Sequence, residues 1–109
     1  MAQFDVHRNK GALRESIPFV VVVQSAQFDR YRRRVVVPLV RRSALPGSTP
    51  TVGSRMNPVF VVEGLDVVLH PLDMVSVALD QLGAHIDSLA EDGQRITDAL
   101  DELLTRSWG

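Results

Sequence analysis

The densest group of side chains that could do chemistry is the run Arg-Tyr-Arg-Arg-Arg at residues 30–34. Arginine binds phosphate and carboxylate groups through paired hydrogen bonds, and an aromatic ring between arginines can stack on a nucleic-acid base. The run therefore indicates a surface for an acidic partner. The alternative is a solvated loop and strand start whose arginines pair with acidic residues of a helix in the same chain.

The single tryptophan, Trp108, is followed by Gly109 at the end of an amphipathic segment. Small proteins usually bury their only tryptophan in the core, because its large apolar area stabilises the fold most there. The last residues of a chain tend to fray. Trp108 therefore either packs back onto its own domain or contacts a partner, where tryptophan is often a main source of binding energy.

Catalytic chemistry has little support in the sequence. The three histidines, His7, His70 and His85, are far apart and do not have metal-ligand spacing. The chain has no cysteine and therefore no thiolate nucleophile or thiolate metal site. It also lacks the HExxH and GxSxG motifs and a glycine-rich phosphate loop. The sequence predicts a binding protein, not an enzyme, with no cofactor and no metal.

The net charge of -1 hides an uneven distribution. Residues 1–62 contain ten of the twelve Lys and Arg and only three acidic residues, whereas residues 63–109 contain ten acidic residues. Either the two halves neutralise each other within one fold, or the basic half forms a surface for a disordered acidic inhibitor or for nucleic acid.

The 109 residues, of which 45% are hydrophobic and 23% charged, fit one globular domain spanning residues 1–109. The apolar residues are rich in valine, which favours strands because its branched side chain packs well on a pleated surface. No signal peptide and no membrane-spanning run is visible, so we expect a cytoplasmic protein.

Alternating side chains predict a first strand at residues 3–7. Apolar segments predict further strands at 18–25, 34–40, 59–62 and 66–70, and a glycine turn around Gly64 joins the last two. Residues 73–79 are expected to form another strand or an extended piece. The continuous apolar run at 18–25 predicts burial on both faces, or on one face and in an interface. Pro38 lacks an N–H, which predicts a sheet edge or a bulge at that point.

A C-terminal helix is predicted from a capping box at Ser88 and Glu91 to about Arg106. Its buried side consists of Leu89, Ile96, Leu100 and Leu103. Gly93 lies on the same side and permits a close approach to a strand. The predicted fold class is mainly β (α+β), with five or six strands in a curled antiparallel sheet that closes or nearly closes into a barrel, followed by this helix.

Six stretches resemble, in order, the CcdB family of toxins. They are MAQFDV at 1–6, FVVVVQS at 19–25, RRVVVPL at 33–39, NPV at 57–59, DMVSV at 73–77 and the final WG at 108–109. The six stretches are collinear and cover nearly the whole chain. The resemblance is therefore to the family as a whole and not to one motif.

The resemblance implies a small SH3-like barrel of the type shared by CcdB and MazF toxins. It implies a homodimer that binds the A subunit of DNA gyrase and traps the cleaved DNA complex, without enzymatic activity, direct reading of nucleic acid or membrane association. It also implies neutralisation by a disordered acidic segment of a CcdA-like antitoxin. The gyrase contacts carried over are Trp108 and Gly109, and the expected antitoxin contacts are Arg30, Arg32, Arg33, Asp101, Leu104 and Trp108.

The chain departs from the family pattern near its end. The family ends in Trp-Gly-Ile, but Gly109 is not followed by an isoleucine here, and residues 105–107 look like an insertion before Trp108. Two alternatives therefore remain open. One is a diverged or inactive CcdB-like binding module with another target. The other is an endoribonuclease like MazF and Kid, in which residues 30–34 hold RNA.

Overall fold

The structure, a computed structural model, describes residues 1–46 and 52–106. This part of the chain contains seven antiparallel strands and one α-helix. The strands are β1 (Asp5–Asn9), β2 (Phe19–Val22), β3 (Arg33–Arg41), β4 (Val59–Val62), β5 (Leu65–Leu69), β6 (Val75–Ala78) and β7 (Leu82–Ser88), and the helix is α1 (Gly93–Asp101). The predicted fold class, a mainly β fold with a curled antiparallel sheet and a C-terminal helix, is confirmed.

The strands lie in the order β4-β5-β3-β2-β1-β7, and β6 pairs with β3 on the same side as β5. β3 therefore changes partner along its length. It pairs with β6 as far as Val36 and with β5 from Leu39 onward. Pro38 lies in the gap between these two ladders, and its carbonyl accepts a hydrogen bond from the backbone N of His70 at 3.0 Å. The missing N–H thus interrupts neither ladder, and the predicted edge or bulge is replaced by a change of partner.

The sheet curls so that the β4–β5 hairpin returns to β1. Glu63 and Gly64 form the two-residue turn with φ of 49° and 76°, the left-handed conformation that a type I′ turn requires at both positions. The Glu63 carboxylate accepts two hydrogen bonds from Arg8 of β1, at 2.8 and 3.0 Å. This ion pair links the turn to β1, which is not a neighbour of β4 or β5 in the sheet order, so the sheet is curled into a half-barrel.

Two apolar clusters lie on opposite faces of the sheet. The larger one faces the helix and contains Val6, Phe19, Val21, Val37, Leu39, Phe60, Val62, Val67, Leu69, Leu89, Ile96 and Ala99. The smaller one consists of Val20, Val22 and Val36, with Met1, Val77 and Leu82 packed against it. All four residues of β2 are buried within this chain, so the prediction of burial on both faces is confirmed.

The helix packs closely on the sheet at its first turn. A Cβ atom added to Gly93 would lie 2.5 Å from a ring carbon of Phe4, which confirms the predicted close approach at this glycine. Further along, the Arg95 guanidinium lies 4.4 Å from the centre of the Phe60 ring and donates to the Val59 carbonyl at 2.7 Å. The helix is thereby fixed to β4 as well as to the segment that leads into β1.

Several strand predictions differ from the structure. The strand predicted at 18–25 ends at Val22, and only Val75–Ala78 of the segment 73–79 is a strand, because 3-10 turns include Asp73 and Leu79. The first strand begins at Asp5, not at residue 3, because Phe4 has a φ of 71° that interrupts the extended backbone. β7 was not predicted at all. Its ladder with β1 contains two irregularities, and Gly83 lies so close to Arg8 that an added Cβ would be 2.7 Å from the Arg8 carbonyl oxygen. These bulges disrupt the two-residue period that makes a strand visible in a sequence.

The predicted capping box is wrong. Ser88 ends β7, and residues 90–92 form a 3-10 turn before α1 begins at Gly93. The Ser88 hydroxyl accepts a hydrogen bond from the backbone N of Ala90 at 3.2 Å, in that turn and not at the third position of a helix. After Asp101 the chain continues as a π-helical turn, Glu102–Arg106.

Candidate functional site

The basic run at residues 30–34 divides between two environments. Arg33 and Arg34 begin β3, where successive side chains point to opposite faces. Arg33 is exposed, whereas Arg34 is only 1% exposed, on the same face as the buried Val36. The five residues form one group in the sequence, but the two-residue spacing from Val36 identifies Arg34 as the inward one.

Arg34 organises the loop between β2 and β3. Its guanidinium donates to the carbonyls of Gln24 and Ser25 at 3.0 and 3.1 Å and to the Gln24 side-chain oxygen at 3.4 Å. It also forms an ion pair with Asp29 at 2.5 Å. Since these contacts satisfy its donors inside the protein, Arg34 has a structural role in positioning the loop and is not available to a partner.

Asp29 joins two cations at the edge of this loop. The Met1 ammonium donates to one of its carboxylate oxygens at 2.9 Å, and Arg34 binds the other. The hydrogen bond from the Met1 ammonium, together with the Arg34 guanidinium, lowers the pKa of the Asp29 carboxyl below its ordinary value of 3.8. Asp29 therefore stays charged at neutral pH and neutralises much of the buried positive charge.

Arg30 and Arg32 are the exposed members of the run whose side chains have no partner within the described ranges. Neither side chain makes a hydrogen bond or ion pair with any residue in the described ranges, whereas Arg33 donates to the Ser76 hydroxyl at 2.9 Å and to the Ser76 carbonyl at 2.6 Å. The Arg32 side chain borders a shallow cavity of about 380 Å³ next to Leu79. Two of the three predicted arginine contacts are thus fully available to an acidic partner.

An aromatic pair lies among these arginines. The rings of Phe28 and Tyr31 are 5.9 Å apart between centres, and the two residues are 38% and 63% exposed. Tyr31 was singled out from the sequence, but Phe28 was missed. Phe28 lies in a polar segment, one residue before Asp29, and an aromatic residue in such a segment could have indicated an exposed ring. The loop therefore presents apolar area as well as positive charge.

The predicted contacts near the C-terminus lie on the last turns of the helical segment. Asp101 is exposed at the end of α1, and Leu104 is 64% exposed in the turn that follows. Trp108 and Gly109 lie outside the residues that the structure describes. Within the described ranges, no hydrogen bond or ion pair joins Asp101 or Leu104 to the arginines at residues 30–34.

The acidic side of the helix is paired with another arginine. Arg55 lies 3.5 Å from a carboxylate oxygen of Asp98 and 3.3 Å from one of Glu102. The prediction that arginines of residues 30–34 pair with the acidic helix is therefore wrong for Asp98 and Glu102, because these carboxylates pair with Arg55. The first and second halves of the chain do neutralise each other in part, through Arg55 and through the Arg8–Glu63 pair.

The three histidines lie in two places in the structure. His70 is 3.1 Å from Asp73. His7 and His85 lie side by side with ring centres 5.4 Å apart, on neighbouring strands. Among the described residues, no cluster of three or more His, Cys, Asp or Glu side chains could hold a metal ion.

A profile of the CcdB protein family matches residues 3–106 of the 109-residue chain. The chain belongs to the CcdB family. Proteins of the CcdB family are toxins of toxin–antitoxin systems and are not known as enzymes. The matched range includes all the strands and the helix described above and stops short of Trp108.

A comparison of this CcdB-family chain with curated proteins finds no significant match. No helix within the described ranges has both the length and the apolar character that crossing a lipid bilayer requires.

Proposed function

We propose that this chain is a gyrase poison, a toxin that binds the A subunit of DNA gyrase and traps the cleaved DNA complex. The observation that supports the proposal most is the family match over residues 3–106. The toxin acts by binding and has no catalytic step of its own. It works in the cytoplasm, as a homodimer, and a CcdA-like antitoxin neutralises it.

In this proposal Trp108 and Gly109 make the gyrase contact. Two-fold symmetry in a homodimer brings two copies of the same surface together, so that two indole rings form one rigid contact area. Tryptophan loses few rotamers on binding and is therefore well suited to dominate such an interface. Leu104, four residues before Trp108 in the sequence, is exposed and adds apolar area to this proposed contact.

The antitoxin contact is proposed for Arg30, Arg32 and Arg33 together with Asp101, Leu104 and Trp108. The free guanidinium groups of Arg30 and Arg32 support this assignment, because an acidic segment gains most from charges that no internal partner neutralises. The exposed aromatic pair of Phe28 and Tyr31 adds apolar contact area beside them.

Calorimetric titration of purified gyrase A subunit tests the gyrase contact. Trp108→Ala is expected to weaken binding at least roughly tenfold, because an interface tryptophan typically contributes about 2 kcal/mol or more. Leu13→Ala is the matched control, since Leu13 is an exposed residue (63%) in a loop far along the chain from the C-terminus. Equal affinities for the Trp108→Ala and Leu13→Ala proteins would remove Trp108 from the interface.

A second candidate function is binding of single-stranded RNA, as in the endoribonuclease toxins. The Phe28–Tyr31 pair beside the free Arg30 and Arg32 is the observation that favours it, because single-stranded nucleic acids bind to stacking rings and to cations that neutralise their backbone. Incubation of purified protein with single-stranded RNA separates the candidates. Cleavage that is lost in Tyr31→Ala but kept in Trp108→Ala would favour the RNA function over gyrase poisoning.

A further inference from the structure

Residues 1–4, which precede β1, contact two parts of the fold that β1 separates in the sheet. The backbone N of Phe4 donates to the carbonyl of Val22, the last residue of β2, at 2.7 Å. The Phe4 carbonyl accepts a hydrogen bond from the backbone N of Leu89 at 2.9 Å. Leu89 lies between β7 and the 3-10 turn that leads into α1. Residues 1–4 therefore form a strap from the end of β2 to the start of the helical segment.

The strap and Arg34 together hold the start of the β2–β3 loop. Four successive carbonyls, at residues 22–25, all accept hydrogen bonds. The first two bind the strap, through the Phe4 backbone N and the Gln3 side-chain N, the latter at 3.0 Å. The last two bind the Arg34 guanidinium. The backbone at this point is thus fixed jointly by the strap and by the buried arginine.

The Met1 ammonium fixes the outer end of the strap. It donates to the Asp29 carboxylate at 2.9 Å, and the Met1 side chain packs against the smaller apolar cluster of the sheet. The same carboxylate binds Arg34. Because the strap and Arg34 share Asp29, the position of the strap depends on the conformation of the loop that carries Asp29.

Phe4 connects the strap to the helix in a strained conformation. Its φ of 71° lies in the left-handed region, which residues with a bulky side chain rarely adopt. Such a conformation persists only where the surrounding contacts over-determine it. Here the two backbone hydrogen bonds hold it, and the ring occupies space that Gly93 leaves open, where an added Cβ would lie 2.5 Å from a ring carbon. Release of the strap at its loop end therefore lets Phe4 relax and withdraws its ring from the helix.

We propose that the strap is a conformational device that makes the order at the start of α1 depend on the anchoring of the β2–β3 loop, with Phe4 as the positioning residue. No hydrogen bond, ion pair or ring contact joins Asp29 to Gly93 among the residues that the structure describes, so the coupling passes through other residues, and the strap contacts both sides. Its strained and relaxed arrangements are the two states that such coupling needs. The proposal concerns order within this chain and holds whichever target the protein binds.

Hydrogen exchange of the backbone amides in the full-length protein tests the coupling from the loop side. Asp29→Asn removes the negative charge that holds the Met1 ammonium. We expect the Leu89 amide, which donates to Phe4, to accelerate at least roughly threefold more than the hydrogen-bonded amides of β3, which report on global unfolding. Asp66→Asn is the matched control, because Asp66 is exposed and forms no ion pair within the described ranges. It should change the Leu89 and β3 amides alike.

A second variant tests the coupling from the helix side. Gly93→Ala displaces the Phe4 ring, and because a coupling free energy is reciprocal, the loop end of the strap should loosen as well. We expect the Phe4 amide to accelerate at least roughly threefold more than the β3 amides, with changes in amide chemical shift at residues 24–29. Gln94→Ala, the exposed neighbour, is the matched control.

Local acceleration in both directions supports the proposal, and every other pattern overturns it. If Asp29→Asn accelerates the Phe4 amide and leaves Leu89 as in wild type, the strap opens without affecting the helix. If the Phe4, Leu89 and β3 amides accelerate by one common factor, Asp29 acts through global stability alone. Unchanged rates, or a response in one direction only, contradict a reciprocal coupling.

Discussion

At the scale of single residues, Arg34 determines the geometry of the proposed antitoxin surface without being part of it. Its guanidinium links the carbonyls of Gln24 and Ser25 to the Asp29 carboxylate, so that the start and the middle of the β2–β3 loop are held by one side chain. Phe28 lies within this loop, directly before Asp29. The position of the exposed aromatic pair therefore depends on a buried cation.

Arg34→Ala is expected to lower the free energy of unfolding by about 3 kcal/mol, because it leaves two carbonyls without their donor and Asp29 with the Met1 ammonium alone. Arg33→Ala, one residue away on the exposed face, is expected to cost less than about 1 kcal/mol. Urea denaturation of both variants measures the difference. Equal losses of stability would mean that the inward position of Arg34 has no energetic consequence.

Asp29 gives the fold a specific dependence on pH. Its pKa is lowered in the folded protein by the Met1 ammonium and by Arg34, so its contribution to stability is fully present above the ordinary value of 3.8 and is lost as the pH falls through the lowered value. We expect wild type to exceed Asp29→Asn in stability near neutral pH, with the two converging in acid. Denaturation curves over this range measure it, and a constant difference at all pH values would contradict the assignment.

At the scale of elements, the contact between α1 and Phe4 sets how closely the helix approaches the sheet. Alanine is the better helix former by about 1 kcal/mol, but a Cβ at Gly93 would lie 2.5 Å from the Phe4 ring. Gly93→Ala is therefore expected to destabilise the protein by about 1 to 3 kcal/mol in spite of its helix propensity. Gln94→Ala, next to it and exposed, should change stability by less than about 0.5 kcal/mol. A stabilised Gly93→Ala protein in thermal or urea unfolding would contradict the close contact.

The elements that the sequence predicts best are those whose side chains keep one period. The apolar runs of β2 and β3 and the glycine turn between β4 and β5 all follow from local pattern and turn chemistry. β7 was missed because bulges break its period, and the start of α1 was misplaced because a 3-10 turn occupies the expected first helical turn. Such deviations arise from tertiary contacts that a single sequence does not contain.

The same limit applies to the candidate site. The sequence identifies residues 30–34 as basic, but which of those arginines is free depends on partners far along the chain, such as Ser76 for Arg33.

At the scale of the whole molecule, the uneven charge of the two halves is only partly resolved by folding. Arg8 and Arg55 pair with acidic residues of the second half, and the helix is thereby neutralised on one side. Within the described ranges, free guanidinium groups are left at both ends of β3, on Arg30 and Arg32 at one end and on Arg42 at the other. The first half of the chain therefore keeps exposed positive charge that the second half does not neutralise within the described ranges.

A gyrase DNA-cleavage assay with purified protein decides whether this chain is a gyrase poison. We expect the wild-type protein to make gyrase accumulate linear plasmid DNA, and Trp108→Ala, folded to the same stability, to lose this effect. A variant with isoleucine added after Gly109 should be at least as active as wild type. If neither the wild-type protein nor the extended variant yields linear DNA, the chain is not a gyrase poison, and its CcdB-family fold serves another target.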